Sequence, residues 1–254
     1  MPIGIKGDAM SRFFISPEQF DRPEPVISGP DVRHITKVLR LGPGDAVELL
    51  DGAGRAACAV IASMGGDVVV CRKEEVFSPG GEPPVDVVLV QGLAKGDKMD
   101  YIIQKSTELG VSGIIPLVCR RSVVRLEGEK KGSRQARWQR VALEASKQCR
   151  RPRVPQVHPP VEMAEALGGI HRGALAILPW EGERSLGLKE ALPRQTPEKI
   201  YIFVGPEGGF EEYEVEEARR SGVAAVSLGP RILRTETAGP ACLAIVMHKY
   251  GDLG

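Results

Sequence analysis

Two glycine-bearing runs hold the residues best suited to chemistry. The first is Phe203-Val204-Gly205-Pro206-Glu207-Gly208-Gly209-Phe210. The second, eighteen residues further on, is Leu228-Gly229-Pro230-Arg231-Ile232-Leu233-Arg234-Thr235-Glu236-Thr237-Ala238. Each leaves an apolar, strand-like stretch and enters a helix-like one. Each is therefore expected to set glycine-rich backbone at the carboxyl edge of a sheet, where open α/β folds bind ligands. Glu207 would repel a polyphosphate, and neither G-x-x-x-x-G-K-[ST] nor G-x-G-x-x-G occurs there, so a neutral or cationic small molecule is the expected ligand. In the second run Arg231 and Arg234 flank Ile232-Leu233, combining apolar surface for a flat base with guanidinium donors for a phosphate or a carbonyl oxygen. A plainer reading stands beside this one: turn glycines and a helix start, capped by Thr235 or Thr237, with Glu236 favoured by the helix dipole.

These runs need a scaffold, and the chain supplies a legible one. Ser78-Pro79-Gly80-Gly81-Glu82-Pro83-Pro84 resists regular structure and divides the chain near residue 82. Before it, apolar runs at 46–50, 56–62 and 68–71 are separated by glycine-rich turns, which predicts a small, mainly antiparallel β barrel. After it, strand patterns at 85–91, 113–118, 174–179, 199–204 and 224–228 alternate with helical ones near 98–109, 134–150, 211–221 and 237–249. That alternation predicts an α/β domain with a mostly parallel sheet.

Charge adds a partner class. The net charge is +1, yet Cys119 to Arg153 carries twelve Lys or Arg against three Glu, a local balance of +9. One sign predominating over such a stretch is the footprint expected of a polyanion-binding surface. Trp138, Val141, Ala142, Ala145 and Cys149 repeat there at helical spacing, so Trp138 is expected to anchor the core. The five cysteines are dispersed without a C-x-x-C pair and are expected to be reduced thiols. The four histidines lack metal-ligand spacing, and no metal is expected. No apolar run approaches the roughly eighteen residues of a membrane span, and no secretory pattern opens the chain; a cytoplasmic protein is the expectation.

Both runs, in this order, resemble the ribosomal RNA uridine-N3 methyltransferases that modify 16S RNA. So do Ser11-Arg12-Phe13-Phe14, Arg33-His34-Ile35-Thr36-Lys37-Val38-Leu39-Arg40, Lys95-Gly96-Asp97-Lys98-Met99-Asp100-Tyr101, Gln104-Lys105-Ser106-Thr107-Glu108-Leu109-Gly110 and Gly251-Asp252-Leu253-Gly254. The resemblance begins near Met10, leaving residues 1–9 as an expected leader or disordered arm. It implies a PUA-like β-barrel RNA-binding domain at 10–82, followed by a SPOUT-class methyltransferase domain at 83–254 with a carboxyl-terminal trefoil knot. It also implies S-adenosylmethionine as methyl donor, a homodimer, no metal, and 16S RNA of the small ribosomal subunit as substrate.

Carried over residue by residue, the resemblance assigns the donor site to Leu178, Gly205, Glu207, Gly209, Leu228, Gly229, Ile232 and Leu233. Arg234 would orient the uracil or stabilise charge on its carbonyl oxygens, and Glu236 or Glu207 would take the imide proton. Glu236 as a capping carboxylate and Glu207 as a loop brace remain open beside the base role. Arg12, Arg33, Lys37, Arg40, Arg120, Arg121 and Arg125 would position RNA phosphates. His34 either packs in the small domain or meets a base. Gly239-Pro240 departs from the family pattern, with Pro240 expected in a first helical turn. Two alternatives accompany this reading: an enzyme of the same class acting on another RNA or base atom, and a noncatalytic RNA-binding ribosome-assembly protein.

Overall fold

The computed structural model describes residues 10–122 and 129–254, without the side chains of residues 129 and 130. Two compact units divide them: one runs up to Glu82 and includes Arg150–Arg153, and the other comprises Pro83–Cys149 and Val154–Gly254. The expected leader at 1–9 lies outside the described residues, as does Arg125.

The smaller unit holds β1 (Arg12–Phe14), α1 (Pro17–Phe20), β2 (Val26–Ser28), α2 (Pro30–Arg33), a π-helix at His34–Leu39, β3 (Ala46–Leu50), β4 (Ala56–Gly65) and β5 (Val68–Phe77). Its sheet runs β1-β3-β4-β5-β2, with β1 parallel to β3 and the other pairings antiparallel. Two register shifts between β4 and β5 mark bulges, which bend a sheet so that one face can enclose a core. Phe13, Phe20, Ile27, Ile35, Leu49, Ile61 and Val69 fill that core. Strand β5 runs six residues past the predicted end because Arg72–Glu75, though charged, continue the pairing with β4.

The larger unit contains β6 (Asp86–Gly92), α3 (Lys98–Glu108), β7 (Gly113–Val118), α4 (Glu129–Cys149), β8 (Gln156–Val157), β9 (Val161–Glu162), α5 (Met163–Gly168), β10 (Leu175–Pro179), α6 (Leu188–Ala191), β11 (Lys199–Val204), α7 (Glu212–Arg220), β12 (Ala224–Val226) and α8 (Thr235–Tyr250). The sheet order is β12-β10-β11-β6-β7-β8, with β9 also on β7, and every pairing is parallel. A parallel sheet is covered on both faces, which explains the unbroken apolar run Val87–Val90 in β6. Val87 and Leu89 join Met99, Ile102, Trp138, Cys242 and Val246 from α3, α4 and α8 in one core. Val88 and Val90 join Met163, Ala166, Val215 and Ala218 from α5 and α7 in the other. Trp138 is buried as the helical spacing predicts.

Helix α8 begins two residues before the predicted start, so Pro240 lies inside it rather than in its first turn. The helix keeps its course, but proline brings no N–H for the Glu236 carbonyl four residues earlier. Gly239 has a packing reason: a Cβ there would sit 3.2 Å from Gln91 Oε1 and 3.4 Å from Leu89 Cδ1. Among the described residues no helix is long and apolar enough to cross a membrane.

Candidate functional site

Because β10, β11 and β12 are parallel, their carboxyl ends meet at one edge of the sheet. Three loops leave that edge, after Pro179, Val204 and Val226, and wall two adjoining recesses. One, of about 470 Å³, is lined by Pro179–Glu181, Glu183, Arg184, Ser227–Leu233 and Ala238. The other, of about 400 Å³, is lined by Lys98, Val204–Phe210 and Ile232–Glu236; Pro179, Glu181, Ile232, Leu233 and Ala238 belong to both. The two glycine runs, separate in sequence, therefore face each other across one site.

Glycine is required where the loop after β11 folds back on itself. A Cβ on Gly205 would lie 3.1–3.2 Å from the backbone of Gly209 and Phe210. Gly209 has φ +70°, and its Cβ would meet Glu181 Oε1 at 2.9 Å. From beneath, Gly92 at the end of β6 admits Pro206, whose nitrogen would be 2.5 Å from a Cβ on residue 92. Arg121 holds the outer side, with Nε and Nη2 donating to Glu211 and Nη1 to the Gly208 carbonyl at 2.9 Å. The loop after β10 is braced by Glu183, which accepts from Ser185 N, Ser185 Oγ and Leu186 N and, on its other oxygen, from Arg219. The Ser185 bonds hold its carboxyl at about 2.

The charged wall centres on Lys98, at the start of α3. Its Nζ lies 3.4 Å from Glu207 Oε1 and 3.2 Å from Glu236 Oε2. Glu207 also accepts from the Lys95 amide at 2.9 Å. Burial pushes the Glu207 carboxyl up, but hydrogen bonds from Lys95 and its own amide, with the Lys98 ammonium, outweigh burial and hold it below the usual range. Its own amide likewise lowers Glu236, against burial and with help from Lys98 and Arg234. Glu236 Oε2 is buried and makes no hydrogen bond, so its tie to Lys98 is Coulombic without hydrogen-bond geometry. Both carboxylates are thus anionic at neutral pH, close together and facing a cavity.

The predicted residues distribute unevenly around this wall. Gly205, Glu207, Gly209, Leu228, Gly229, Ile232, Leu233, Arg234 and Glu236 all line the recesses. Leu178 does not: its side chain is fully buried in the core that includes Phe203, and Pro179 reaches the cavity instead. Ile232 is 85 % exposed, an apolar flap on the rim. Arg234, 83 % exposed, is the N-cap residue of α8 and lies 4.0 Å from Glu236. The alternative capping by threonine does not occur at Thr235, whose hydroxyl donates instead to the Gly205 carbonyl at 2.6 Å. Lys98 and Thr235 were not predicted as site residues. Lys98 stands within the Lys95–Tyr101 run, but nothing in one sequence ties it to residues more than a hundred positions away.

The basic residues also differ in what their charges do. In the smaller unit Arg33, Lys37 and Arg40 are exposed on α2, the π-helix and its left-handed cap. Arg12 is committed internally: it donates twice to Glu48, at 2.8 and 3.0 Å, and to the Arg150 carbonyl. His34 is exposed and meets Phe13 edge-on, so it does not fill the core. In the larger unit Arg120 is exposed, whereas Arg121 is occupied in bracing the Gly208 turn.

Residues 81–247 match the family described as an RNA methyltransferase domain, and residues 27–74 match that described as an RNA methyltransferase PUA domain. Ribosomal RNA small subunit methyltransferase E of Bacillus subtilis is 34 % identical, the match covering 94 % of this chain and 97 % of that protein. The Synechocystis protein of the same name is 32 % identical over 92 % of this chain and 76 % of its own. The crystal structure of ribosomal RNA small subunit methyltransferase E from Neisseria gonorrhoeae, bound to S-adenosyl methionine, superposes with a TM-score of 0.84. That protein is 33 % identical, with 97 % of this chain and all of the other covered.

Proposed function

The chain belongs to the ribosomal RNA small subunit methyltransferase E family, and on that premise we propose that it transfers a methyl group from S-adenosylmethionine to N3 of a uridine in 16S RNA. The carrying observation is the paired recess, where two anionic carboxylates and an apolar rim meet glycine backbone at the sheet edge.

The residues present fit the donor. A sulfonium cation suits a wall bearing Glu207 and Glu236, Leu228, Ile232 and Leu233 suit an adenine ring, and Gly205 and Gly209 permit close backbone approach. When bound, S-adenosylmethionine supplies a methyl group already activated by the positive sulfur. The chain must then prepare the nucleophile, because a protonated imide nitrogen is a poor one. Glu236 or Glu207 takes the N3 proton, and either is deprotonated and ready at neutral pH. Arg234, exposed at the rim, orients the uracil and stabilises the negative charge that spreads onto its carbonyl oxygens.

RNA docks through the smaller unit, which we assign as the PUA-type RNA-binding domain within residues 10–82; residues 83–254 form the SPOUT methyltransferase domain, tied in a trefoil knot and paired in a homodimer. Arg33, Lys37, Arg40 and Arg120 are the exposed phosphate contacts. The enzyme acts in the cytoplasm on the small subunit. Labelled S-adenosylmethionine presented with small subunits lacking the modification, and with naked 16S RNA, tests the reading. N3-methyluridine by mass spectrometry is the expected product. Another methylated nucleoside redirects the assignment within the class, and donor binding without transfer to either substrate overturns it.

A further inference from the structure

Strand β6 ends in an anomaly. Gln91 is completely buried at the end of the apolar run Val87–Val90. Its Nε2 donates to the Gly92 carbonyl at 3.1 Å and to Thr235 Oγ1 at 2.9 Å, while its Oε1 is buried without a partner. Thr235 Oγ1 in turn donates to the Gly205 carbonyl at 2.6 Å.

The chemistry fixes the direction of this relay. The Gly205 oxygen can only accept, so the threonine proton points to it; the threonine oxygen must then accept, so the amide nitrogen of Gln91 faces it. Nε2 is anchored twice, which leaves Oε1 turned away, against Gly239 and without a donor. An apolar residue at 91 would avoid the orphan acceptor, so the polar choice needs a reason at the other end of the relay.

That reason lies in the peptide between Gly205 and Pro206. It has no N–H, because proline follows, and Gly205 has no side chain to restrict its dihedrals. Its carbonyl is the one polar handle by which this peptide can be held, and Thr235 holds it. Gly205 and Pro206 both line the recess assigned to the methyl donor.

We propose that Gln91 and Thr235 are positioning residues for the methyl donor: the relay from β6 through the first residue of α8 fixes the Gly205–Pro206 peptide in the shape the donor binds. The role rests on the donor-site reading above. Gln91 acts from outside the recess, whereas Thr235 also lines it.

Calorimetric titration with S-adenosylmethionine, paired with thermal unfolding, tests it. Thr235→Val keeps the branched shape and loses the hydroxyl; it should raise the donor Kd about tenfold, the weight of one hydrogen bond. Thr235→Ser should restore affinity to within about threefold, since the hydroxyl returns. Gln91→Met removes the upstream donor without altering α8, and should weaken binding about three- to tenfold; if Thr235→Val does not fold, this variant decides. Methyl transfer at saturating donor should recover in Gln91→Met, whose site of substitution lies outside both recesses, placing the defect in binding rather than turnover. Unchanged donor affinity in the folded variants overturns the proposal. So does a loss that tracks the melting temperature alone and is equal in the valine and serine variants. Absence of binding by the unsubstituted protein is a different result: it refutes the donor-site reading itself.

Discussion

Adding one methyl group at Gly92 should displace the Gly205–Pro206 wall of the proposed donor recess. A Cβ there would lie 2.5 Å from Pro206 N, 2.7 Å from Pro206 Cδ and 2.8 Å from the Gly205 carbonyl carbon. Ordinary carbon contacts start near 3.5 Å, so the loop must lift by about 1 Å. Both sides of the contact are backbone or proline ring, and neither has a rotamer by which to yield. Forced overpacking of this kind costs about 1–3 kcal/mol. At about 2–4 °C per kcal/mol for a unit of this size, Gly92→Ala should lower the melting temperature by roughly 2–12 °C. A 1 Å misplacement of a site wall should also cut methyl transfer about 100-fold. Gly132→Ala is the matched control: on α4 its Cβ meets nothing within 4 Å. There the same substitution should stabilise by up to about 1 kcal/mol. Differential scanning calorimetry and the labelled-donor assay read both variants. If Gly92→Ala melts with the unsubstituted protein and transfers methyl at full rate, the described contact between β6 and the Gly205–Pro206 peptide is refuted.

Arg234→Ala should leave stability within about 0.5 kcal/mol, given its exposure. Donor affinity should also hold while methyl transfer falls about 10²–10³-fold; full activity would remove Arg234 from the mechanism. Glu183 is held at about 2 against an ordinary 4.5, so its contribution to stability is complete above 4.5 and is lost as pH falls toward 2. Urea midpoints measured from pH 5 downward should therefore fall less steeply for Glu183→Gln than for the unsubstituted protein, and identical slopes would contradict the bracing role. Replacing Arg33, Lys37 and Arg40 together with glutamine should weaken RNA binding and flatten the salt dependence by about 0.7–0.9 in log–log slope per lost phosphate contact. Arg12→Gln, whose charge is already matched by Glu48, should barely change that slope; equal effects from both would show that exposure misidentifies the docking face.

What was legible in the sequence follows from length and composition. The strands ending at Pro179 and Val204 are apolar runs closed by glycine or proline, and α3, α4 and α7 span enough turns for a periodicity to show. β8 and β9 have two residues each and exist through pairing with β7. No local pattern marks them. The start of α8 was obscured because its N-cap is an arginine without a side-chain cap bond and Thr235 spends its hydroxyl on another loop. The glycine runs announced a site, but its electrostatics did not: the Lys98 contacts to Glu207 and Glu236 join residues that only the fold brings together. For the same reason Arg12 and Arg121 read as phosphate contacts, because sequence shows a charge but not the carboxylate already facing it.

The relay beside the proposed donor recess joins residues 144 positions apart. At about 5–20 residues per second, a ribosome needs roughly 7–30 s to make the intervening chain, long after β6 could have begun to pair. At the start of that interval the growing polypeptide has Gln91 but, Lys98 apart, none of the residues that line the recesses, which run from Pro179 to Ala238. A ligand of these recesses therefore meets its full set of contacts only after residue 238 has been made. On the proposed reading, the donor favours the folded state by mass action only once α8 has been synthesised and docked.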